Sequence, residues 1–258
     1  METTKIIGIT PEAEGIKTLR TVMEVNAAPG QYVMVWISGH GEKPMSLSYV
    51  TGNLGVTVFA RGPFTTRLYK KNKGESIGIR GPYGRGFNVK GEKLLIVGGG
   101  AGMPPLAALA EKSIQDGKAV TAIVGAKTKS GLLFVERLRN AGAKVLISTD
   151  DGSGGARGQV TDVLSELLKD ETFDQCYTCG PEIMMKNVIE QTKKMDIPAQ
   201  ASIERYIKCG IGICGHCAID GSGLRVCFEG PVFTDKELEN TEFGKYARNS
   251  SGKKAYFE

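Results

Sequence analysis

Up to about residue 88, apolar and β-branched positions fall in short runs at 19–25, 32–37, 46–51, 55–60 and 76–80. Pro29-Gly30, Gly52-Asn53 and Lys73-Gly74 stand between them as turn signals. Short runs spaced roughly ten residues apart with such breaks predict a small antiparallel β-barrel. After Lys93 the rhythm changes. Strands are expected at 94–97, 119–124, 144–148 and 175–178, and helices at 106–116, 133–140, 160–168 and 183–194. Strand and helix in alternation predict a doubly wound parallel sheet with helices on both faces. From about Ala201 the periodicity ends and cysteines dominate. The expected organisation is multidomain: a barrel over 1–90, an α/β domain over 91–200 and a small module over 201–258.

The chain's 258 residues suffice for two modest domains and such a module, and 41% hydrophobic with 24% charged residues is ordinary for a globular protein. The least polar stretch, 94–110, is short and broken by Gly98-Gly99-Gly100 and Pro104-Pro105, which does not suit a membrane span. Met1-Glu2-Thr3-Thr4-Lys5 begins no signal peptide, so a cytoplasmic location is expected. Net charge is +5, unevenly placed: from Arg61 to Lys93 nine Lys/Arg face two Glu, a local excess of +7. A nucleic-acid patch would interleave aromatics and carry a binding motif, and neither is present. An anionic cofactor or an acidic partner surface accounts for the excess.

Cys209, Cys214, Cys217 and Cys227 are spaced C-x4-C-x2-C-x9-C. These intervals suit the thiolate ligands of a [2Fe–2S] cluster, and Gly210, Gly212 and Gly215 let the backbone wrap closely and aim N–H groups at sulfur. A structural zinc site more often pairs its ligands as two close couples. A Rieske centre needs two histidine ligands, and only His40 and His216 exist, far apart in sequence. Disulfides fit poorly where nothing suggests secretion.

Three loops follow predicted strands of the α/β region. Gly98-Gly99-Gly100-Ala101-Gly102 opens a helix, where backbone N–H groups and the helix dipole favour phosphate; it is neither a G-x-G-x-x-G fingerprint nor a Walker loop. A plain tight turn is the competing reading. Thr149 to Gly158, with Asp150 and Asp151, falls at the carboxyl edge, where open sheets bind ligands. An EF-hand reading fails because Thr161 stands where a carboxylate is required. Cys179-Gly180-Pro181 lies on the same edge, a place for a cysteine beside a nicotinamide. Cys176 and Cys179 form a C-x-x-C, but Cys176 falls within a strand with no helix N-terminus to activate it.

Taken together, these residues resemble the ferredoxin–NADP reductase superfamily over essentially the whole chain. More narrowly they resemble the electron-transfer subunits of NAD-dependent dihydroorotate dehydrogenases. Pro29-Gly30-Gln31-Tyr32 is similar to the family's PGQF, and Lys43-Pro44-Met45-Ser46 stands where the family has R-P-x-S against the flavin. Val58-Phe59-Ala60 and Phe64-Thr65, within a T-x-x-L, fit further FAD contacts, and Gly81-Pro82-Tyr83-Gly84 resembles GPLG. Gly98–Gly102, Thr149–Gly158 and Cys179-Gly180-Pro181 resemble its NAD loops. Cys209 to Cys214, Val226-Cys227 and Gly230-Pro231-Val232-Phe233 resemble its cluster module. Lys43 departs from the family's arginine and loses the planar fork that grips a pyrophosphate. Arg61, two residues beyond Phe59, is expected to supply part of that contact; an ordinary solvated turn residue is the alternative.

The resemblance implies a relay of FAD, [2Fe–2S] and NAD in which the cofactors carry the chemistry and no general acid or base is needed. It implies an FMN-containing catalytic dihydroorotate dehydrogenase subunit as partner, in a heterotetramer serving pyrimidine biosynthesis, so that dihydroorotate never touches this chain. Alternatives are a flavin/iron–sulfur subunit of a sulfide dehydrogenase or of an NADH-dependent ferredoxin–NADP reductase, or a zinc-stapled binding module without enzymatic activity. A Rossmann-type NAD site would place an acidic residue after the second strand. Lys127, Thr128 and Lys129 stand there instead, either as receivers of a 2′-phosphate or as ordinary exposed loop residues; NAD is expected, with NADP open.

Overall fold

The computed structural model describes residues 1–257. Strands β1 (Glu2–Ala13), β2 (Ile16–Glu24), β3 (Tyr32–Ile37), β4 (Gly41–Tyr49), β5 (Asn53–Phe59) and β6 (Ser76–Tyr83) close into an antiparallel barrel in the order β1-β2-β5-β4-β3-β6. Helix α1 (Pro63–Tyr69) bridges β5 and β6. Strand β3 shows why its sequence is apolar without alternation. Val33, Val35 and Ile37 fill the barrel, while Tyr32 and Met34 on the opposite face pack into the cysteine module. A strand buried on both faces needs no polar side.

The barrel has one strand more than the hydrophobic runs suggest. β1 is interrupted by Gly8 and Pro11 and carries register shifts beside both, so its alternation is broken. β4 starts at Gly41 rather than at 46, because the polar stretch Gly41–Ser46 pairs with β3 along its length. α1 also went unpredicted; its short sequence opens with Pro63 and presents only Phe64 and Leu68 to the core.

The second layer comprises β7 (Lys93–Gly99), α2 (Met103–Gln115), β8 (Ala119–Ala126), α3 (Val135–Ala141), β9 (Lys144–Thr149), β10 (Ala156–Arg157), α4 (Val160–Asp170), β11 (Gln175–Cys179), α5 (Glu182–Lys194) and β12 (Ala199–Ser202). With β13 (Val232–Thr234) they form a sheet in the order β10-β9-β8-β7-β11-β12-β13, parallel except for β13. Leu94, Ile96 and Tyr177 face one core; Leu95, Val97 and Cys176 face the other. From β7 the chain steps to β8 on one side, and after β10 it crosses to β11 on the other. The carboxyl ends of β7 and β11 therefore frame a topological switch point, the crevice where such sheets bind ligands. Among the described residues no helix is long and apolar enough to cross a membrane.

The cysteine-rich segment is wedged between these two bodies and shares structure with both. Its β13 completes the α/β sheet, and Arg85, just past β6, donates from its guanidinium to the Val232 carbonyl and pairs with Glu237 at 2.7 Å. Helix α6 (Asp235–Leu238) and the hairpin β14 (Tyr246–Arg248)–β15 (Lys254–Tyr256) finish the chain. A buried ion triad locks the wedge. Arg205 grips Glu182 at the start of α5 at 2.6 and 3.0 Å and Glu242 at 2.7 Å. Gly244 N–H caps the Glu182 carboxylate, and Asp220 N–H that of Glu242.

Candidate cofactor sites

The four cysteines of the C-x4-C-x2-C-x9-C run lie on one loop system. Gly210 and Gly212 adopt positive φ angles of 73° and 79°, a left-handed backbone that a side chain disfavours, and so coil the chain back around the sulfurs. The Cys227 N–H reaches Cys217 Sγ, so these two residues lie side by side in the loop. Backbone donors converge on them: Gly212 N–H on Cys227 Sγ at 3.2 Å and Cys227 N–H on Cys217 Sγ at 3.4 Å. Burial raises the Cys209 thiol, but the N–H groups of Ile211, Cys214 and Ile213 outweigh it and bring its pKa to about 6. Burial, followed by the hydrogen bond from Cys217, pushes Cys227 up to about 12. No three His, Cys, Asp or Glu side chains among the described residues converge on a single ion position. Four cysteines on one glycine-coiled loop, with N–H groups donating to sulfur, fit the ligand set of a [2Fe–2S] cluster, which Cys209, Cys214, Cys217 and Cys227 would hold as a one-electron carrier. The rim is apolar and open to solvent: Ile213 and Phe228 are 79% and 59% exposed, and Cys214 itself is exposed.

Barrel strands hold this loop from beneath. The Tyr32 hydroxyl is shared between the carbonyl oxygens of Gly210 at 3.0 Å and Cys227 at 3.1 Å. Arg80 on β6 donates to the Cys209 carbonyl at 2.7 Å while pairing with Glu42 on β4. Arg225 donates to the Gly212 carbonyl at 2.5 Å and is fixed by Glu229. Tyr32, Arg80 and Arg225 were not singled out as site residues in the sequence. Only Tyr32 left a trace, as the last residue of Pro29-Gly30-Gln31-Tyr32.

Lys43, Pro44, Met45 and Ser46 are half-buried on the β3-paired half of β4. The β4–β5 ladder is confined to Leu47↔Val56 and Tyr49↔Gly55, so beyond it the strands part. Lys43–Ser46 border one side of that gap, and Phe59, Ala60 and Arg61 the other. Val58 and Phe64 point into the barrel core, which leaves only their backbone for a ligand. Thr65 turns its hydroxyl back on the Arg61 and Gly62 N–H groups at 3.1 and 3.0 Å, so it shapes the turn. The Arg61 guanidinium is exposed and lies 5.3 Å over the Phe59 ring. Gly81 and Pro82 are exposed at the end of β6, and the adjacent Tyr83 stands in one cross-strand row with Tyr32 and Ser46.

At the sheet's carboxyl edge, Cys179 stands opposite Gly98, so Gly98–Gly102 and Cys179-Gly180-Pro181 meet at the switch point. The glycines have a structural reason: a Cβ on Gly99 would lie 2.8 Å from the Gly125 carbonyl, and one on Gly102 would overlap that of Cys179. Gly100 differs, with φ +54° and open space where a Cβ would point. Cys179 is buried, and burial raises its pKa to about 12; Cys176 lies on the opposite face of the sheet and is also pushed up by burial. The two thiols therefore face different cores and form no redox pair. Asp150 and Asp151 occupy the same edge but follow β9, two strands from β7. The Asp151 carboxylate accepts from the Ser153 N–H at 2.9 Å and hydroxyl at 2.6 Å, which holds its pKa down. Asp151 thus organises its own loop, and Asp150 remains exposed. Lys127, Thr128 and Lys129 are exposed immediately after β8.

A closed barrel, a doubly wound sheet and a thiolate loop anchored to both define a reductase of the ferredoxin–NADP reductase type. The model of the iron–sulfur cluster binding domain of dihydroorotate dehydrogenase B matches residues 204–239, and that of the oxidoreductase NAD-binding domain matches 96–190. The chain is 44% identical over 254 residues to a probable dihydroorotate dehydrogenase B (NAD(+)) electron transfer subunit of Methanocaldococcus jannaschii, covering 98% of this chain and 97% of that one. The similarly described protein of Methanothermobacter thermautotrophicus is 44% identical over 259 residues, with 98% and 96% covered. A solved NADH-dependent reduced ferredoxin-NADP oxidoreductase, described in terms of flavin-based electron bifurcation, superposes with TM-score 0.83 at 27% identity, covering 94% of this chain and 91% of that one. The chain belongs to the family of dihydroorotate dehydrogenase B (NAD(+)) electron transfer subunits. An electron transfer subunit serves a catalytic partner, and this chain is the oxidoreductase component that links such a partner to NAD.

Proposed function

We propose that the chain passes electrons between NAD at the sheet edge and an FMN-containing dihydroorotate dehydrogenase subunit docked over the cysteine loop. FAD bound in the gap between β4 and β5 would exchange hydride with the nicotinamide and single electrons with a [2Fe–2S] centre on the four cysteines. Lys43 to Ser46, with the backbone of Val58 and Phe64, line the flavin's place, and Phe59, Ala60 and Arg61 close its far side. Gly100 and its neighbours, with Cys179, Gly180 and Pro181, receive the nicotinamide nucleotide; Asp150 borders the same edge. The observation that carries the reading is the direct bracing of the cysteine loop on barrel strands, through Tyr32 and Arg80. Flavin strand and cluster ligands are then neighbours with no intervening layer.

Burial supports one direction for the wire within the module. Cys217 and Cys227 are buried towards the barrel, whereas exposed Cys214 lies within the apolar rim of Ile211, Ile213 and Phe228. That rim is the proposed exit to the partner, in a heterotetramer. Three of the nine basic residues of the 61–93 segment, Arg80, Arg85 and Lys71, are engaged with Glu42, Glu237 and Glu75 and so serve this architecture. Co-purification tests the partner: an FMN protein carrying dihydroorotate oxidation supports the reading. Capture of a large iron–sulfur flavoprotein instead would assign the chain to the bifurcating relative's system. Nicotinamide choice is tested by comparing NADH with NADPH in wild type and Lys127→Ala; the reading expects NADH to be preferred in both.

A further inference from the structure

Tyr206 stands between the flavin-side strand and the cysteine loop and touches both. Lys43 Nζ donates to its hydroxyl at 3.2 Å and sits 4.8 Å from the centre of its ring. On the loop side, the His216 imidazole, between Cys214 and Cys217, meets the Tyr206 ring edge-on with centroids 5.5 Å apart. One aromatic ring thereby connects residue 43 on β4 with the segment between two thiolates. The hydrogen bond and the ammonium–ring contact together engage Lys43 with the phenol. Lysine at this position, a weak pyrophosphate partner, is a good partner for a phenol.

We infer that Tyr206 is a positioning residue that sets the separation and orientation of the flavin and the cluster, and that Lys43 acts through it. The inference rests on the relay proposed above. Tyr206 takes no proton and no electron. It fixes the geometry across which each electron leaving the reduced flavin reduces one cluster. A displacement of about 1 Å in such a geometry can change a rate a hundredfold.

The test uses the full-length protein with both cofactors, in wild type, Tyr206→Phe, Tyr206→Leu, Lys43→Ala and the Lys43→Ala/Tyr206→Phe double variant. Rapid anaerobic mixing with NADH separates flavin bleaching from the later loss of cluster absorption, and flavin content and the cluster's paramagnetic spectrum are recorded on each sample. Tyr206→Phe is expected to keep flavin content and the first phase but slow the second several-fold, with Tyr206→Leu slower by about tenfold or more. The double variant is expected to be no slower in the second phase than the slower of its two parents, since both break one contact. Unchanged second phases in both Tyr206 variants overturn the inference. Should Tyr206→Leu fail to retain its cluster, Tyr206→Phe decides alone: an unaltered second phase, or additive effects in the double variant, overturns it. A wild type lacking flavin and cluster bands would instead overturn the relay itself.

Discussion

Arg80 Nη2 lies 2.7 Å from the carbonyl oxygen of Cys209, so a barrel strand carries the first of the four thiolates. The same guanidinium is paired with Glu42, and that hydrogen bond holds its pKa above the usual arginine value. A charge-assisted hydrogen bond of this kind contributes about 1.5–3 kcal/mol. Arg80→Ala is expected to lose stability of that order in denaturant unfolding and to bleach faster when challenged with an iron chelator. Arg80→Lys, which keeps the charge but reaches one acceptor at a time, is expected to fall between Ala and wild type.

Serine at Cys209, Cys214, Cys217 or Cys227 is expected to abolish or strongly weaken the visible cluster bands and lower bound iron. Cys176→Ala is the matched control. Its thiol is buried within β11, on the sheet face away from Cys179. Iron content there is expected to stay at the wild-type level, with only the modest destabilisation of a small core truncation.

The two loop glycines Gly100 and Gly102 are expected to differ in how much stability alanine removes. A Cβ at Gly102 runs into the Cys179 carbonyl, so the β7 and β11 ends must separate. Gly102→Ala is expected to weaken NADH binding at least tenfold and lower stability. Gly100→Ala meets no protein atom within 4 Å and costs the fold only the left-handed backbone penalty of about 1 kcal/mol, but it adds a side chain to the loop proposed for the nucleotide, so NADH binding is expected to weaken there too. Denaturant unfolding distinguishes the two, and isothermal titration with NADH reads the binding loss in each.

Arg205 is buried between Glu182 and Glu242, and removing it would strand two carboxylates. Arg205→Met is expected to cost about 3–5 kcal/mol in urea unfolding. Because Glu182 begins α5 directly after Cys179-Gly180-Pro181, NADH affinity is expected to fall as well.

The C-terminal hairpin is anchored to Asp220 by Arg248, at 3.1 and 2.7 Å, and by the Tyr246 hydroxyl at 2.9 Å. The Arg248 hydrogen bonds hold the Asp220 pKa below the usual carboxylate value, against the opposing effect of burial. A depressed folded pKa gives stability that is complete above the unfolded value near 4 and is lost as pH falls through the folded value. The protection of the Tyr246–Arg248 amides against hydrogen exchange, corrected for the intrinsic pH dependence of the exchange rate, is therefore expected to fall at acid pH in wild type. Asp220→Asn is expected to exchange fast at neutral pH and show no such acid step.

How far the sequence reached depended on what makes each element form. β7, β8, β9 and β11 were legible because buried parallel strands concentrate apolar residues, and the cysteine spacing was legible because ligation fixes intervals. β12 (Ala-Gln-Ala-Ser) carries too little bulky apolar character to be recognised and β13 (Val-Phe-Thr) is too short, so each is defined as a strand by its pairing. The β14–β15 hairpin reads as a polar tail until Asp220 is beside it. Within the site, the glycine loop and Cys179 were found together, but the loop's glycines also answer to packing. The side chains of Val58 and Phe64 belong to the barrel core, so any contact with a ligand is through their backbone. Tyr32, Arg80 and Tyr206 were overlooked as a set because their partners lie 129 to 195 residues away for Arg80 and Tyr32 and 163 for Tyr206, beyond any local pattern.

The central claim is that one chain couples nicotinamide to a thiolate-held cluster through a flavin in its barrel. Anaerobic visible spectroscopy of the purified protein, before and after stepwise addition of NADH, tests it most directly. The expected result is overlapping flavin and iron–sulfur bands that both bleach as NADH is added, the cluster component disappearing in the Cys227→Ser variant. A colourless protein carrying zinc, or a flavin that bleaches while an intact cluster stays oxidised, would contradict it.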